Sequence, residues 1–540
     1  MPPADAASAP VAWYPCAHQL LSACLGEARF AAAAAALSTP PSSTCVRVNT
    51  LLAQPDAVRE QLEALACEGG GEPRFTVQAA HALLPEALLV RCAAASEALD
   101  LSAACGREVA VTRRTAEAVL RGAQVYAPGV CGASSGLEEG QLVVVTAVIE
   151  PLGATSCGMT RGTRLAVDAG CGFGGRLVLG VGRAALSRGQ IFRAQEGLAV
   201  SLISRTHAHS LPGDELAQRL PRGCLMLQNL PSVCAARALS PLPGSRVLDM
   251  CASPGGKTSL LAALMRNTGE LVALDVNAVK LQRLRSLCAE MGVACLSSHI
   301  SDACAALASP PDPEREAREA REAEAKGDSG RSAGQEKRDR IRRRKAAGAA
   351  LRRMPLLSLH DPPPPSPPPP PIPDSVTGGV GPPPWPPQTF DAILCDAPCS
   401  ALGLRPRLSQ PVSAAQMRNH ASYTRRLLRA AVGLLRPGGA LVFSTCTLSP
   451  LENEANVGWL LRTFPDMRLA QPPGPRLGGP GLLGPACVGA GGAEGCGEAE
   501  GGGWLSAEQA AMVQRFMPGE GAEDTIGFFI ARFEKDGAGL

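Results

Sequence analysis

Nowhere in the 540 residues do two cysteines form a C-x-x-C pair, although the chain has 20, and the seven histidines keep no metal-site spacing from them. The usual zinc patterns are therefore excluded, and no bound metal is expected. A secretory apolar segment at the N-terminus is also missing, so thiols scattered along so long a chain indicate a reducing compartment, with the cytoplasm expected. The alanine-rich first thirty residues carry Asp5 and Glu27 and few arginines, a poor fit to an organellar transit peptide. No apolar run approaches a bilayer span, the longest uniform stretch being the alanines at 31–36, and no membrane association is expected. An excess of charge is lacking too: 52 Lys and Arg face 49 Asp and Glu, so contacts to nucleic acid must come from local basic patches.

What is present is an ordinary globular apolar fraction of 45% and length for two or three domains. Two stretches break the pattern. Residues 309–388 run from a charged, solvated helical segment through the basic cluster Arg340 to Lys345 into "DPPPPSPPPPPIP", and residues 471–503 are rich in Gly and Pro. Both are expected to be disordered insertions. Elsewhere, from "SRVLDM" (245–250) through "ELVALD" (270–275), "FDAILCDAP" (390–398), "ALVFST" and "IGFFIARF" (526–533), strand-like runs alternate with helical periodicity, which predicts an α/β, doubly wound parallel sheet. Residues 105–203 instead carry closely spaced short runs such as "REVAVT" and "QLVVVTAVI", which predicts a separate β-rich, barrel-like module.

In such a sheet ligands sit beyond the carboxyl ends of the strands. The first strand-to-helix turn reads "DMCASPGGKT": Gly255 and Gly256 allow close backbone approach, and Pro254 stiffens the turn. Asp275, ending the next strand, suits a ribose, and Asp302 is placed to receive an adenine amino group. The loop has neither G-x-G-x-x-G nor the complete glycine frame of a phosphate loop, so a cofactor without a phosphate chain is expected. S-adenosylmethionine fits, with Lys257 and the loop amides meeting its amino-acid end. Two later strands end in "DAPCS" and "STCT", bringing Asp396, Cys399 and Cys446 to the same edge. Taken singly, a cysteine is more often an inert core residue. Jointly they suit methyl transfer to cytosine C5, in which a thiolate from Cys446 adds at C6, Asp396 holds N3, and Cys399 assists release. A lapsed RNA-binding scaffold, or a methyltransferase acting elsewhere, are the competing readings.

The residues "RVNT" (47–50), "LQNLPS" (227–232), "VLDMCASPGGKT" (247–258), "DAPCSALGLRP" (396–406), "LLRPGGALVFSTCTLSPLENE" (434–454) and "DTIGFFIARF" (524–533) resemble the Nop/Sun family of RNA (cytosine-5) methyltransferases. "AVLRGAQVYAPGV" (118–130) further resembles a PUA domain, an RNA-binding barrel, as in the PUA-bearing branch of that family. The resemblance implies a Rossmann-like class I methyltransferase domain at 204–540, an inserted PUA domain at 105–203, and a small N-terminal α/β RNA-recognition region within 1–104. It implies Cys446 as nucleophile and Cys399 as the release cysteine. Cofactor contacts are implied for Cys251, Ala252, Ser253, Pro254, Gly255, Gly256, Lys257, Asp275, Lys280, Asp302 and Asp396. The implied substrate is RNA, above all tRNA near its acceptor end, for a protein expected to be monomeric. Two positions depart from the family: Ala401 and Ala303 stand where glycine is usual. For RNA contact the expected residues are Arg113, Arg114, Arg121, Arg161 and Arg164, with Tyr126 as a stacking face.

Overall fold

A computed structural model describes residues 11–67, 73–92, 100–153, 158–167, 173–206, 220–308, 380–484, 504–521 and 523–537. Its central sheet holds β1 (Arg246–Asp249), β2 (Glu270–Asp275), β3 (Leu296–Ile300), β4 (Phe390–Asp396), β5 (Leu435–Thr445), β6 (Met467–Leu469), β7 (Gln514–Phe516) and β8 (Phe528–Lys535). The strand order is β3-β2-β1-β4-β5-β8-β6, with β7 also paired to β8. Order reverses between β1 and β4, and that is where an open α/β sheet opens a crevice at its carboxyl edge. Buried on both faces, the strands read as unbroken apolar runs: Val247 and Leu248, Leu271 to Leu274, Ile393 and Leu394, Leu441 to Phe443. One face is covered by α1 (Leu230–Leu239), α2 (Gly256–Leu264) and α3 (Ala278–Glu290), the other by α4 (Ala414–Leu434) and α5 (Glu454–Thr463).

The sheet is not parallel throughout, contrary to the sequence expectation. From β3 to β5 it is, but β8 runs antiparallel to β5, β6 and β7. An apolar run marks a buried strand and carries no direction; here the connection through β7 sets it. Helix α4 stops at Leu434, since Pro437 lacks an amide donor and β5 has already begun.

Ahead of this sheet, strands Leu225–Leu227, Thr44–Val48, Leu84–Cys92 and Phe75–His81 form a smaller one in that order, packed on helix Pro55–Ala66 through Val46, Val58, Leu62 and Leu88. Arg237 of α1 grips the buried Glu86 of this sheet with two hydrogen bonds of 2.5 and 2.6 Å. Seven strands between Glu108 and Arg205 make a third sheet with its own core of Val109, Val111, Val145 and Val200. Among the described residues its ladder is an open path, with register shifts at Ala110/Val111 and Val181/Gly182 that bend it.

The two stretches expected to be disordered insertions are partly built into the fold. Residues 380–388 pack: Trp385 is buried, bridges to Leu307, and its amide bonds Ala306 O at 2.7 Å. Residues 471–484 also pack, with the amides of Leu477 and Gly478 on Gln514 and Gly479 bridged to Arg515. The sequence boundaries at 388 and 471 are thus corrected, since glycine and proline composition does not reveal backbone partners supplied from afar. The remainder of both stretches, including Arg340 to Lys345, lies outside the described residues.

Candidate active site

Strand β1 delivers Asp249, 1% exposed, whose Oδ2 accepts from Thr258 Oγ1 at 2.8 Å. The chain then turns through Cys251 to Gly255 into α2. Gly255 has φ +107°, and a Cβ there would stand 3.2 Å from Leu284, so the turn needs glycine on both conformational and steric grounds. Ala252 pins the loop to β2 through its amide on Leu274 O, and burial pushes the Cys251 thiol well up, leaving it inert. Asp275 ends β2 with Oδ1 accepting from the Asn277 amide at 2.7 Å. Beyond β3, Asp302 accepts from Cys304 N at 3.0 Å and from the Tyr423 hydroxyl at 3.5 Å. Lys280 sits on the first turn of α3 with an exposed side chain.

The donor set fits S-adenosylmethionine. Two carboxylates at successive strand ends can accept from ribose and adenine, and Ser253 Oγ and Asp249 Oδ1 are buried beside the loop with no hydrogen-bond partner among the described residues. A polar ligand relieves such groups.

From β4 and β5 come the reactive groups. Asp396 is held at both oxygens, by Lys257 Nζ at 2.7 Å and by Ser444 Oγ at 2.7 Å. Burial alone would lower the Lys257 ammonium, but the charge and hydrogen bond of Asp396 outweigh it and hold the ammonium above its ordinary value. The sulfurs of Cys399 and Cys446 lie 3.4 Å apart. Cys446 is lowered, chiefly by the hydrogen bond from Cys399 and further by the charges of Lys257 and Arg407, against burial and Asp396. Cys399 is raised, by its bond to Cys446, by burial and by the nearby Glu452. Of the two thiols, Cys446 is thus the more easily deprotonated, as a nucleophile requires.

The turn after Cys446 is fastened from within. Glu452, fully buried, accepts from Ser400 N at 2.8 Å and Ser400 Oγ at 2.6 Å, and that hydroxyl also meets Thr447 Oγ1 at 2.6 Å. Burial pushes the Glu452 carboxyl up to about 7 despite these bonds. Gly403 N bonds Cys446 O at 2.9 Å, and a Cβ on Gly403 would lie 2.1 Å from Gly527 O.

Sequence reading missed several of these residues. Ser444, Tyr423 and Glu452 stand far along the chain from the groups they touch. Arg47, the arginine of "RVNT", is fully buried behind α2, donating to Gln228 Oε1 and Ser259 Oγ at 2.7 Å each, and burial pushes its guanidinium down to about 10. It ties "RVNT", "LQNLPS" and the cofactor-loop helix into one unit.

Of the residues expected to face RNA, two also make hydrogen bonds within the protein. Arg113 bonds Glu117 at 2.8 Å and Glu150 at 3.1 Å. Arg161 reaches four backbone carbonyls, of Ala127, Val130, Ile191 and Ala194, at 2.5 to 3.2 Å. In both, the guanidinium fork satisfies several acceptors at once, although Arg161 itself stays exposed. Arg114, Arg121 and Arg164 are exposed, as is Tyr126 at 41%.

Residues 236–307 and 373–534 match the family model described as 16S rRNA methyltransferase RsmB/F. The chain is 35% identical to rRNA (cytosine-C(5))-methyltransferase NOP2C of Arabidopsis thaliana over 554 residues, covering 96% of this chain and 90% of that protein. It is 30% identical to tRNA (cytosine(72)-C(5))-methyltransferase NSUN6 of Homo sapiens, covering 92% and 90%. Among solved structures, NSun6 from Pyrococcus horikoshii with SFG, an S-adenosylmethionine analogue, has the same fold at a TM-score of 0.64 and 24% identity, covering 97% of this chain and 98% of that one.

Proposed function

The chain belongs to the RsmB/F family of RNA (cytosine-C5) methyltransferases, and from that premise we propose that it methylates cytosine in tRNA, near the acceptor end, with Cys446 as the nucleophile. The observation that carries the mechanism is the Cys399–Cys446 sulfur contact beside the Lys257–Asp396 pair. S-adenosylmethionine, when bound against the loop from Cys251 to Lys257 with Asp275, Lys280 and Asp302 around it, supplies an electrophilic methyl group.

Cytosine C5 is too weak a nucleophile to take that methyl unaided. Cys446 thiolate adds to C6, its electron pair becoming the C–S bond, while the C5=C6 electrons move toward N3. Asp396 holds N3, and the proton required there comes from the Lys257–Asp396 pair. C5, now enamine-like, takes the methyl group. The C5 proton then passes to a solvent base, its bonding electrons restoring C5=C6 as the C–S bond breaks and Cys446 leaves as thiolate with Cys399 facing it, and the N3 proton returns to the Lys257–Asp396 pair. Dividing the reaction around a covalent adduct lowers its highest barrier. Upstream, residues 105–203 act as a PUA domain presenting Arg114, Arg121, Arg164 and Tyr126 to RNA, beside an RNA-recognition region within 1–104.

Two relatives are named for cytosine 72 of tRNA, at 32% and 30% identity, which favours the tRNA reading. The 35% identical relative is named for rRNA, which keeps an rRNA substrate as the second reading. One experiment addresses both mechanism and substrate. Cys399→Ala protein, incubated with total RNA and S-adenosylmethionine, should accumulate a protein–RNA adduct stable to denaturing gels, and sequencing the attached RNA identifies it. Cys446→Ala should give neither adduct nor methyl transfer; normal turnover by that variant would overturn the assignment, and an adduct confined to rRNA would replace tRNA.

A further inference from the structure

Between Cys399 and Leu408 the chain leaves the active site and crosses to the third sheet. Almost every second residue on that path is fastened. Ser400 is held by Glu452, and Gly403 by Cys446 O and Gly527 N. Arg405, 6% exposed, donates to Thr39 O at 2.8 Å and Pro40 O at 3.1 Å and pairs with Asp524. The Arg407 amide bonds Leu37 O at 2.7 Å. Leu408, 2% exposed, enters the apolar core of the third sheet among Val109, Val111 and Val119. At that point stands Glu117, on helix Arg113–Leu120 and 2% exposed, accepting from Arg407 Nη1 at 3.1 Å, Leu408 N at 3.2 Å and Arg113 Nη1 at 2.8 Å.

A carboxylate buried this deeply is retained only where donors surround it, and two of its three donors belong to the cysteine-bearing segment rather than to its own helix. Exposed ion pairs contribute little, but a buried one resists any displacement that would leave its charge unmatched. We propose that Glu117 is a positioning residue of the active site: through Arg407 and the amide of Leu408 it fixes the segment from Cys399 to Leu408, and with it the sulfur pair, to the β-rich module. The mechanism above needs Cys446 as thiolate with Cys399 held against it, and Arg407 adds positive charge on that side. Facing Cys446 are Cys399, Lys257, Asp396 and Arg407; facing Glu117 are Arg113, Arg121 and Arg407.

This inference rests on the methyltransferase reading for its kinetic consequence, but thiol reactivity tests it independently of catalysis. The full-length protein and its Glu117→Gln, Arg407→Gln and Arg407→Lys variants would be alkylated with iodoacetamide across a range of pH, with peptide mass spectrometry following Cys446 and Cys399. The midpoint for Cys446 is expected to rise by at least about half a pH unit in Arg407→Gln, which removes a positive charge, and in Glu117→Gln, where displacement of the unanchored Arg407 outweighs the loss of one negative charge, and to return toward wild type in Arg407→Lys. Turnover is expected to fall roughly 3- to 30-fold in Glu117→Gln with little change in KM for RNA. Glu139→Gln, at an exposed site of the same module, controls for charge loss alone. Unchanged midpoints and kcat would overturn the proposal. So would a lowered melting temperature with wild-type midpoints, which would make Glu117 merely structural. If Cys446→Ala protein turned over normally, the catalytic reading would fail while the alkylation result still decided the positioning role.

Discussion

Ala401 has φ +57°, in the left-handed region where a Cβ crowds the following carbonyl, and it stands where the family usually has glycine. Ala401→Gly should therefore stabilise the protein by about 0.5 to 1 kcal/mol, read as a higher midpoint in urea with an unchanged slope; no gain would mean that the turn has relaxed around the methyl group. Ala303, the other departure, is buried in an ordinary 3-10 turn and costs nothing comparable. At this scale Asp396, Cys399, Cys446 and the glycine turn were legible because each follows a strand, and strand ends are visible as apolar runs. Glu117 and Glu452 were not: their partners lie 291 and 52 residues away. The protein-internal partners of Arg113 and Arg161 were hidden for the same reason. Sequence shows a guanidinium but not whether carboxylates and carbonyls have already claimed it.

Among elements, the strand-to-helix turns carry buried acids whose protonation couples to folding. Burial pushes Glu452 and Asp249 up to about 7, from ordinary values of 4.5 and 3.8. Folded protein therefore holds protons that the unfolded chain has already released in this window. The contribution of these groups to stability is full below their unfolded values and declines as pH rises toward 7. Glu452→Gln cannot titrate, so relative to wild type its melting temperature should climb between pH 4.5 and 7 and level off above; parallel curves would place the Glu452 proton elsewhere. The alternation of strand and helix was legible from periodicity, whereas the strand order that opens the crevice came only with the structure. The direction of β8 was not, because hydrophobicity has no polarity along the chain.

Across the molecule, side chains that join the three larger sheets include Arg237 on Glu86, Arg47 behind α2, and Leu408 in the core of the third sheet. Leu408→Ala leaves a cavity in a core that is not its own and should cost about 2 to 5 kcal/mol. Calorimetry should then show the third sheet melting ahead of the rest, by a wider margin than in the wild type; an unchanged profile in the variant would mean that the modules are joined elsewhere. Composition located a β-rich region and an α/β region because their periods differ. It could not show that one leucine belongs to both.

The Leu307–Trp385 bridge has a separate consequence. It brings together the two points where the proline-rich stretch leaves and rejoins the central sheet, so the sheet senses only that the ends meet. The entropic cost of bringing two points of a chain together grows only with the logarithm of the residues between them, about 0.6 kcal/mol per doubling for flexible chain. The number of residues between the adenine-side and cysteine-bearing strands thus has little leverage on the width of the crevice, whose walls are held by strand pairing.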